Sequence, residues 1–281
     1  MDSSDPVALA LAEDIGSGDV TSEYFVSATL LAFGRIVARD RGVISGVETA
    51  AEVFRRVDPR LHVTAILSDG AALSGGETIL EIRGAARSIL TGERVALNFL
   101  QHLSGIATLT RQFVEGVGKS KAQILDTRKT TPGLRALEKA AVVAGGGTNH
   151  RFGLHDMVLV KDNHLMASSG FTALGSAIER IRRERPDLRI EVEADRLEQV
   201  RTFLELDGID IILLDNMPPA EMREAVALGK KKNVKFEASG GVTLKNIRQV
   251  AASGVDYVSV GALTHSAPAI DLSLELTHVA G

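Results

Sequence analysis

Val234-Lys235-Phe236-Glu237-Ala238-Ser239-Gly240-Gly241-Val242-Thr243 and Tyr257-Val258-Ser259-Val260-Gly261-Ala262-Leu263-Thr264 are the two stretches that decide the fold. Each opens as a short apolar, β-rich run, breaks at glycine and leads toward a helix. The same rhythm extends upstream. Apolar runs recur at 123–125, 157–160, 190–192 and 209–214, with amphipathic helical patterns such as 173–183 and 244–253 between several of them. Strands alternating with helices predict a parallel sheet, as an α/β barrel or a doubly wound sheet. Each strand runs out into polar or glycine residues: Asp126-Thr127-Arg128-Lys129, Lys161-Asp162-Asn163-His164, Glu193, Asp215-Asn216, Ser239-Gly240-Gly241 and Gly261. In a barrel, the carboxyl ends of the strands build the active-site face, so these groups are expected to converge.

The first hundred residues read differently, as a mixed α+β unit. Asp5-Pro6 starts a helix, and a loop is expected over Glu13 to Asp19. Strands are expected at 35–39, 61–67 and 78–82, helices at 47–57 and 91–117, with Thr91 as an N-cap. The predicted division is an N-terminal domain over 1–115 and a barrel over 116–265, with the tail 266–281 packing back on the first domain. The chain has 281 residues, 44% apolar and 24% charged, which suits an ordinary globular protein. There is no cysteine, so disulfides, thiolate metal sites and Cys nucleophiles are excluded. A net charge of −4 argues against a nucleic-acid partner. No apolar run approaches a membrane span, and the acidic Met1 to Asp5 is unlike a signal peptide. The cytoplasm is the expected compartment.

The glycine turns after the last two strands suit a phosphate, which backbone N–H groups can cradle there. Glu193 and Asp215, at neighbouring strand ends, suit Mg²⁺ beside such a phosphate, or else ion pairs with nearby Arg and Lys. Glu191, on the same face as Glu193, is either a further ligand or the partner of a basic residue. The segment Asp126 to His164 carries a net +2 inside an acidic chain, which predicts a site for a small anion. Gly116-Val117-Gly118-Lys119-Ser120 fails as a Walker motif, because Phe113 stands where the first glycine belongs. His150, His155 and His164 lack the spacing of a zinc helix.

Taken together, several motifs resemble the quinolinate phosphoribosyltransferase family, in order and over nearly the whole chain. They are Glu13-Asp14-Ile15-Gly16-Ser17-Gly18-Asp19-Val20-Thr21, Glu93-Arg94-Val95-Ala96-Leu97-Asn98-Phe99, Asp126-Thr127-Arg128-Lys129-Thr130-Thr131-Pro132-Gly133, Gly145-Gly146-Gly147-Thr148-Asn149-His150-Arg151, Val160-Lys161-Asp162-Asn163-His164, Leu213-Leu214-Asp215-Asn216, Glu237-Ala238-Ser239-Gly240-Gly241 and Val260-Gly261-Ala262-Leu263-Thr264-His265-Ser266. The resemblance implies an N-terminal α+β sandwich-like domain and an incomplete, seven-stranded α/β barrel. It implies transfer of phosphoribosyl from 5-phosphoribosyl-1-pyrophosphate to quinolinate with Mg²⁺, giving nicotinate mononucleotide, pyrophosphate and CO₂. It implies a homodimer, or a larger assembly of it, with shared active sites. The family's dicarboxylate clamp falls on Arg128, His150, Arg151 and Lys161, with Arg94 given by the partner subunit and Thr127 also binding substrate. Lys129, Glu193 and Asp215 match groups handling pyrophosphate, ribose and metal, and Lys161 or His150 is the expected proton donor. Ser239, Gly240, Gly241 and Gly261 match the phosphate cradle, with His265 nearby. Two other readings compete: a molybdate-transport-associated relative, which also keeps Thr-Arg-Lys, and a non-catalytic phosphate-ligand sensor.

Overall fold

The computed structural model describes residues 5–167 and 171–278. The acidic residues 1–4 and the last tail residues 279–281 lie outside them. Contacts divide the chain into two compact units. One comprises Met1–Arg111, Thr130–Gly146 and Leu263–Gly281; the other comprises Gln112–Lys129 and Gly147–Ala262.

The first unit is built on a four-stranded antiparallel sheet. Leu31–Ala38 pairs with Thr78–Ala85 on one side and with Leu272–His278 on the other, and His62–Ala65 extends the sheet beyond Thr78–Ala85. The last strand therefore returns the chain's end to its beginning. Ile36, Phe54, Leu80, Ile82 and Ile89 are fully buried in the core. Helix Pro6–Ile15 begins as its sequence dictates: Asp5 accepts the N–H groups of Val7 and Ala8 at 3.0 and 3.2 Å. The loop expected at Glu13 is shorter than its sequence suggests. The helix runs on to Ile15 and stops at Gly16, whose φ of +53° ends it. Thr91 is also not an N-cap. The helix starts at Ala86, and the Thr91 hydroxyl donates to the Arg87 carbonyl one turn back.

Thr130–Gly146 groups with the first unit although the strand-end motif directly precedes it in sequence. Its helix, Arg135–Ala144, carries the fully buried Glu138. That carboxylate lies 2.8 Å from His102 Nε2 and accepts the Thr131 N–H at 3.2 Å. Arg111 donates to the Gly145 carbonyl at 2.9 Å. A buried carboxylate with imidazole and N–H partners ties this helix to its neighbours in that unit.

The second unit is a six-stranded sheet in which every pairing is parallel. Its order is Gln123–Leu125, Tyr257–Ser259, Lys235–Ser239, Ile211–Asp215, Ile190–Ala194 and Val158–Val160. Beyond Gln123–Leu125 a single parallel bridge joins Leu125 to Thr148. The expected strands are all present, each displaced by a few residues at most. The unbroken run Ile211-Ile212-Leu213-Leu214 is buried throughout, as a parallel strand covered on both faces requires. The helix read at 244–253 shrinks to Ile247–Ala251, because Asn246 accepts the Thr243 N–H and holds a turn ahead of it. Among the described residues no helix is long and apolar enough to cross a membrane.

One stabilising device in the first unit can be tested directly. The buried Asp58 carboxylate accepts the Arg60 N–H at 3.0 Å and the Ser88 hydroxyl at 2.8 Å, and pairs with the Arg60 side chain. Bonds from Arg60, from its side chain first, hold the Asp58 carboxyl well below the usual range. A depressed carboxyl stabilises the fold above its unfolded value and loses that contribution as pH falls below it. The Arg60 side chain is exposed, so its ion pair is screened and the N–H and hydroxyl bonds set the magnitude. Asp58→Asn should cost about 1–2 kcal/mol at pH 7. Urea unfolding should show the gap to wild type narrowing at pH 3; a gap independent of pH would contradict this.

Candidate active site

In the second unit the parallel register sets the strand ends side by side. Glu193 is level with Leu213, and Asp215 is level with Ser239. Glu191 and Glu193 are two residues apart on one strand and so project to the same face. Glu191 is fully buried, whereas Glu193 lies higher and is half-buried. Its Oε2 is 2.5 Å from Lys161 Nζ, at the end of the neighbouring Val158–Val160 strand. The two alternatives for these residues thus divide: Glu193 meets a lysine, and Glu191 turns inward to a histidine.

That histidine is His150. Its Nε2 lies 3.0 Å from Glu191 and 3.4 Å from Glu237. Glu237 is also fully buried, in the strand Lys235–Ser239. None of the four carboxylate oxygens makes a hydrogen bond of regular geometry among the described residues, so the ring nitrogen is shared between them. Burial pulls the imidazole pKa down, but the bonds and charges of the two glutamates outweigh it and lift it to about 9. Burial, then the Glu237 charge, pushes Glu191 up to about 7. These three residues bring one ligand atom each within 4.8 Å of one another, a set that could hold a metal ion. The ring's other nitrogen, Nδ1, accepts the Arg151 N–H at 2.7 Å, and the His150 N–H donates to the buried Asp126 at 2.8 Å. The accepting Nδ1 and the raised pKa favour different proton counts. The short Arg151 contact fixes the ring with its proton on Nε2, between the carboxylates.

Arg151 is buried, and its Nη1 donates to the Met157 carbonyl at 3.3 Å. Burial and the charge of Arg128 lower its pKa. A desolvated guanidinium facing a second one is stabilised by an anion between them. Arg128 and Lys129 are exposed just past the strand Gln123–Leu125, and the half-buried Thr127 hydroxyl accepts the Lys129 N–H at 3.1 Å. Asp215 accepts a bond from the Asn216 side-chain amide at 2.9 Å. Asn216 is the one described non-glycine residue with positive φ, +54°. Its amide lies against Gly240, where a Cβ would collide with it. Gly240 and Gly241 have φ of +88° and +61°, and Gly261 follows the strand Tyr257–Ser259.

The second unit thus holds Thr127, Arg128, Lys129, His150, Arg151, Lys161, Glu193, Asp215, Ser239, Gly240, Gly241 and Gly261. Arg94 and His265 belong to the first unit. Arg94 is exposed on helix Ala86–Val117, and His265 contacts Ser266 at 2.6 Å. Asp126 and Asn216 are among the strand-end groups expected to converge, whereas Glu237, inside its strand, is not singled out by spacing. The signal for Glu237 was present, since a carboxylate between Phe236 and Ala238 inside a buried strand needs a partner.

Comparison with known proteins identifies the family. The family model "Quinolinate phosphoribosyl transferase, N-terminal domain" matches residues 19–104, and its C-terminal counterpart matches 106–275. The chain is 43% identical over 269 residues to a probable nicotinate-nucleotide pyrophosphorylase [carboxylating] of Bacillus subtilis, covering 94% of this chain and 90% of that one. It is 44% identical over 280 residues to the nicotinate-nucleotide pyrophosphorylase [carboxylating] of Mycobacterium leprae, covering 97% and 96%. The crystal structure of NadC from Streptococcus pyogenes superposes with a TM-score of 0.91 at 39% identity, covering 98% and 96%. With both domain models matched in order, the chain belongs to the quinolinate phosphoribosyltransferase family.

Proposed function

We propose that this protein transfers phosphoribosyl from 5-phosphoribosyl-1-pyrophosphate to the ring nitrogen of quinolinate, releasing pyrophosphate and CO₂ and yielding nicotinate mononucleotide for NAD biosynthesis. The observation that carries this reading is the buried Arg151 beside Arg128 at the strand ends, a pair of cations that a pyridine dicarboxylate would satisfy. Arg128, Arg151, Thr127 and Lys161 hold the two carboxylates and aim the ring nitrogen at the anomeric carbon, which is catalysis by positioning. Once the C–N bond forms, the ring nitrogen is cationic. It stabilises the electron pair left on the adjacent carbon when that carbon's carboxylate departs as CO₂. A proton must then reach the same carbon. His150 has both ring nitrogens committed to protein groups, whereas Lys161 is 45% exposed and faces Glu193. Lys161 is therefore the proton donor.

Glu193 and Asp215 are hard oxygen donors at adjacent strands, and such donors fit Mg²⁺. Lys161 engages only one Glu193 oxygen, and Asn216 supports the Asp215 carboxylate. When bound, the ion would offset the charge of the pyrophosphate. Lys129 assists the same leaving group, while Ser239, Gly240, Gly241 and Gly261 cradle the donor's phosphate through backbone N–H groups. His265 completes the phosphate end. Arg94 serves the active site of a second copy, so that the working unit is a homodimer with shared sites. The six parallel strands and the Thr148 bridge fit a seven-stranded incomplete barrel as the catalytic body. Such an enzyme works in the cytoplasm.

Arg128→Ala should raise the quinolinate KM by about 10- to 100-fold, the worth of one charge-assisted bond, with the fold intact by circular dichroism. Near-normal quinolinate kinetics would remove Arg128 from the clamp. Arg94→Ala mixed with Arg128→Ala should regain activity, because one mixed site has both arginines; none after verified subunit exchange would contradict a shared site. Gly240→Ala should lose about 1–2 kcal/mol of stability, the usual cost of a left-handed backbone for a residue with a Cβ. It should also raise the donor KM; thermal melting and steady-state kinetics check both.

A further inference from the structure

We infer that Glu237 is a positioning residue for the dicarboxylate clamp, acting through the His150 ring to fix the backbone of Arg151. The inference rests on the clamp proposed above and adds a residue that does not itself touch substrate. The chain of contacts is short. Glu237 and Glu191 rise from strands on either side of Ile211–Asp215 and meet at His150 Nε2, 3.4 and 3.0 Å away. Asp126, from a third strand end, grips the His150 N–H at 2.8 Å. With ring and backbone both held, Nδ1 is aimed at the Arg151 N–H, 2.7 Å away. Arg151 in turn places its guanidinium with the Met157 carbonyl as one anchor, 3.3 Å from Nη1.

Stability does not account for this arrangement. Two buried carboxylates sharing one ring nitrogen are costly, and apolar residues of similar volume in such places are often neutral or stabilising. What the pair supplies is direction. Without Glu237 the ring loses one of the two carboxylates beside Nε2 and is freer to turn about χ2, so the Arg151 N–H has a less well aimed acceptor. A guanidinium shifted by about 1 Å would then meet the carboxylate poorly, which is enough to cost a large factor in a positioned reaction.

The test compares Glu237→Leu with Glu237→Gln in the full-length protein. Leucine fills the space without a polar atom, whereas glutamine keeps an amide oxygen where the Glu237 carboxylate faces Nε2, 3.4 Å away. Glu237→Leu should melt within a few degrees of wild type or above it. It should raise the quinolinate KM about tenfold, with the donor KM within about twofold, and Glu237→Gln should recover most of the loss. A quinolinate KM unchanged in a folded Glu237→Leu overturns the inference, as does an equal rise in both KM values. Should the leucine variant fail to fold, ¹⁵N-histidine NMR of Glu237→Gln decides. The His150 Nε2–H signal should move, and an unmoved signal overturns the inference. Arg128→Ala separates the two levels of the argument: if it too leaves quinolinate kinetics unchanged, the clamp itself is wrong. If it raises the KM while Glu237→Leu does not, only the role of Glu237 falls.

Discussion

An imidazole wedged between two buried carboxylates sits beneath the strand ends of the second unit, and the chemistry above it depends on that contact. Glu191 and Glu237 are both fully buried, and His150 Nε2 lies within 3.4 Å of each. Taking a carboxylate out of water costs several kcal/mol unless it is well paired. Here burial drives Glu191 up to about 7, and the two glutamates lift His150 to about 9. The negative floor has a second effect. Arg151 is buried beside Arg128, and the Glu191 charge offsets part of the repulsion between them.

The parallel sheet makes this layering possible. Successive inward residues of one strand, Glu191 and Glu193, serve two levels. The lower one pairs with His150 and the upper one with Lys161. The same spacing on Lys235–Ser239 places Glu237 below and Ser239 above. Buried polar contacts and the strand-end groups above them thus share strands. Asn216 shows how tightly the rim is fitted. Its left-handed backbone brings the amide onto Asp215, and only glycine at position 240 leaves it room.

Much of this was legible in the amino-acid sequence because periodicity and punctuation are local. Apolar runs ending in Asp215, Gly240 and Gly261 announce strands and their ends, and each strand falls within a few residues of its expected place. What was hidden is pairing between distant residues. Glu13-Asp14-Ile15 looks like loop, yet helix Pro6–Ile15 includes it. Thr91 looks like a cap, yet tertiary burial extends its helix back to Ala86. His150 looks like a substrate ligand or proton donor. What its place in the sequence does not show is the three-dimensional convergence of Asp126, Glu191 and Glu237 on it. Net charge hid the site as well, because a total of −4 averages a cationic rim with an acidic surface.

The central claim is that the paired arginines and Lys161 recognise both carboxylates of a pyridine dicarboxylate. Isothermal titration of the protein with quinolinate and with nicotinate, which lacks one carboxylate, tests it most directly. Losing one charge-assisted contact set should weaken nicotinate binding by about 10- to 100-fold relative to quinolinate. Equal affinity for the two acids would contradict the account.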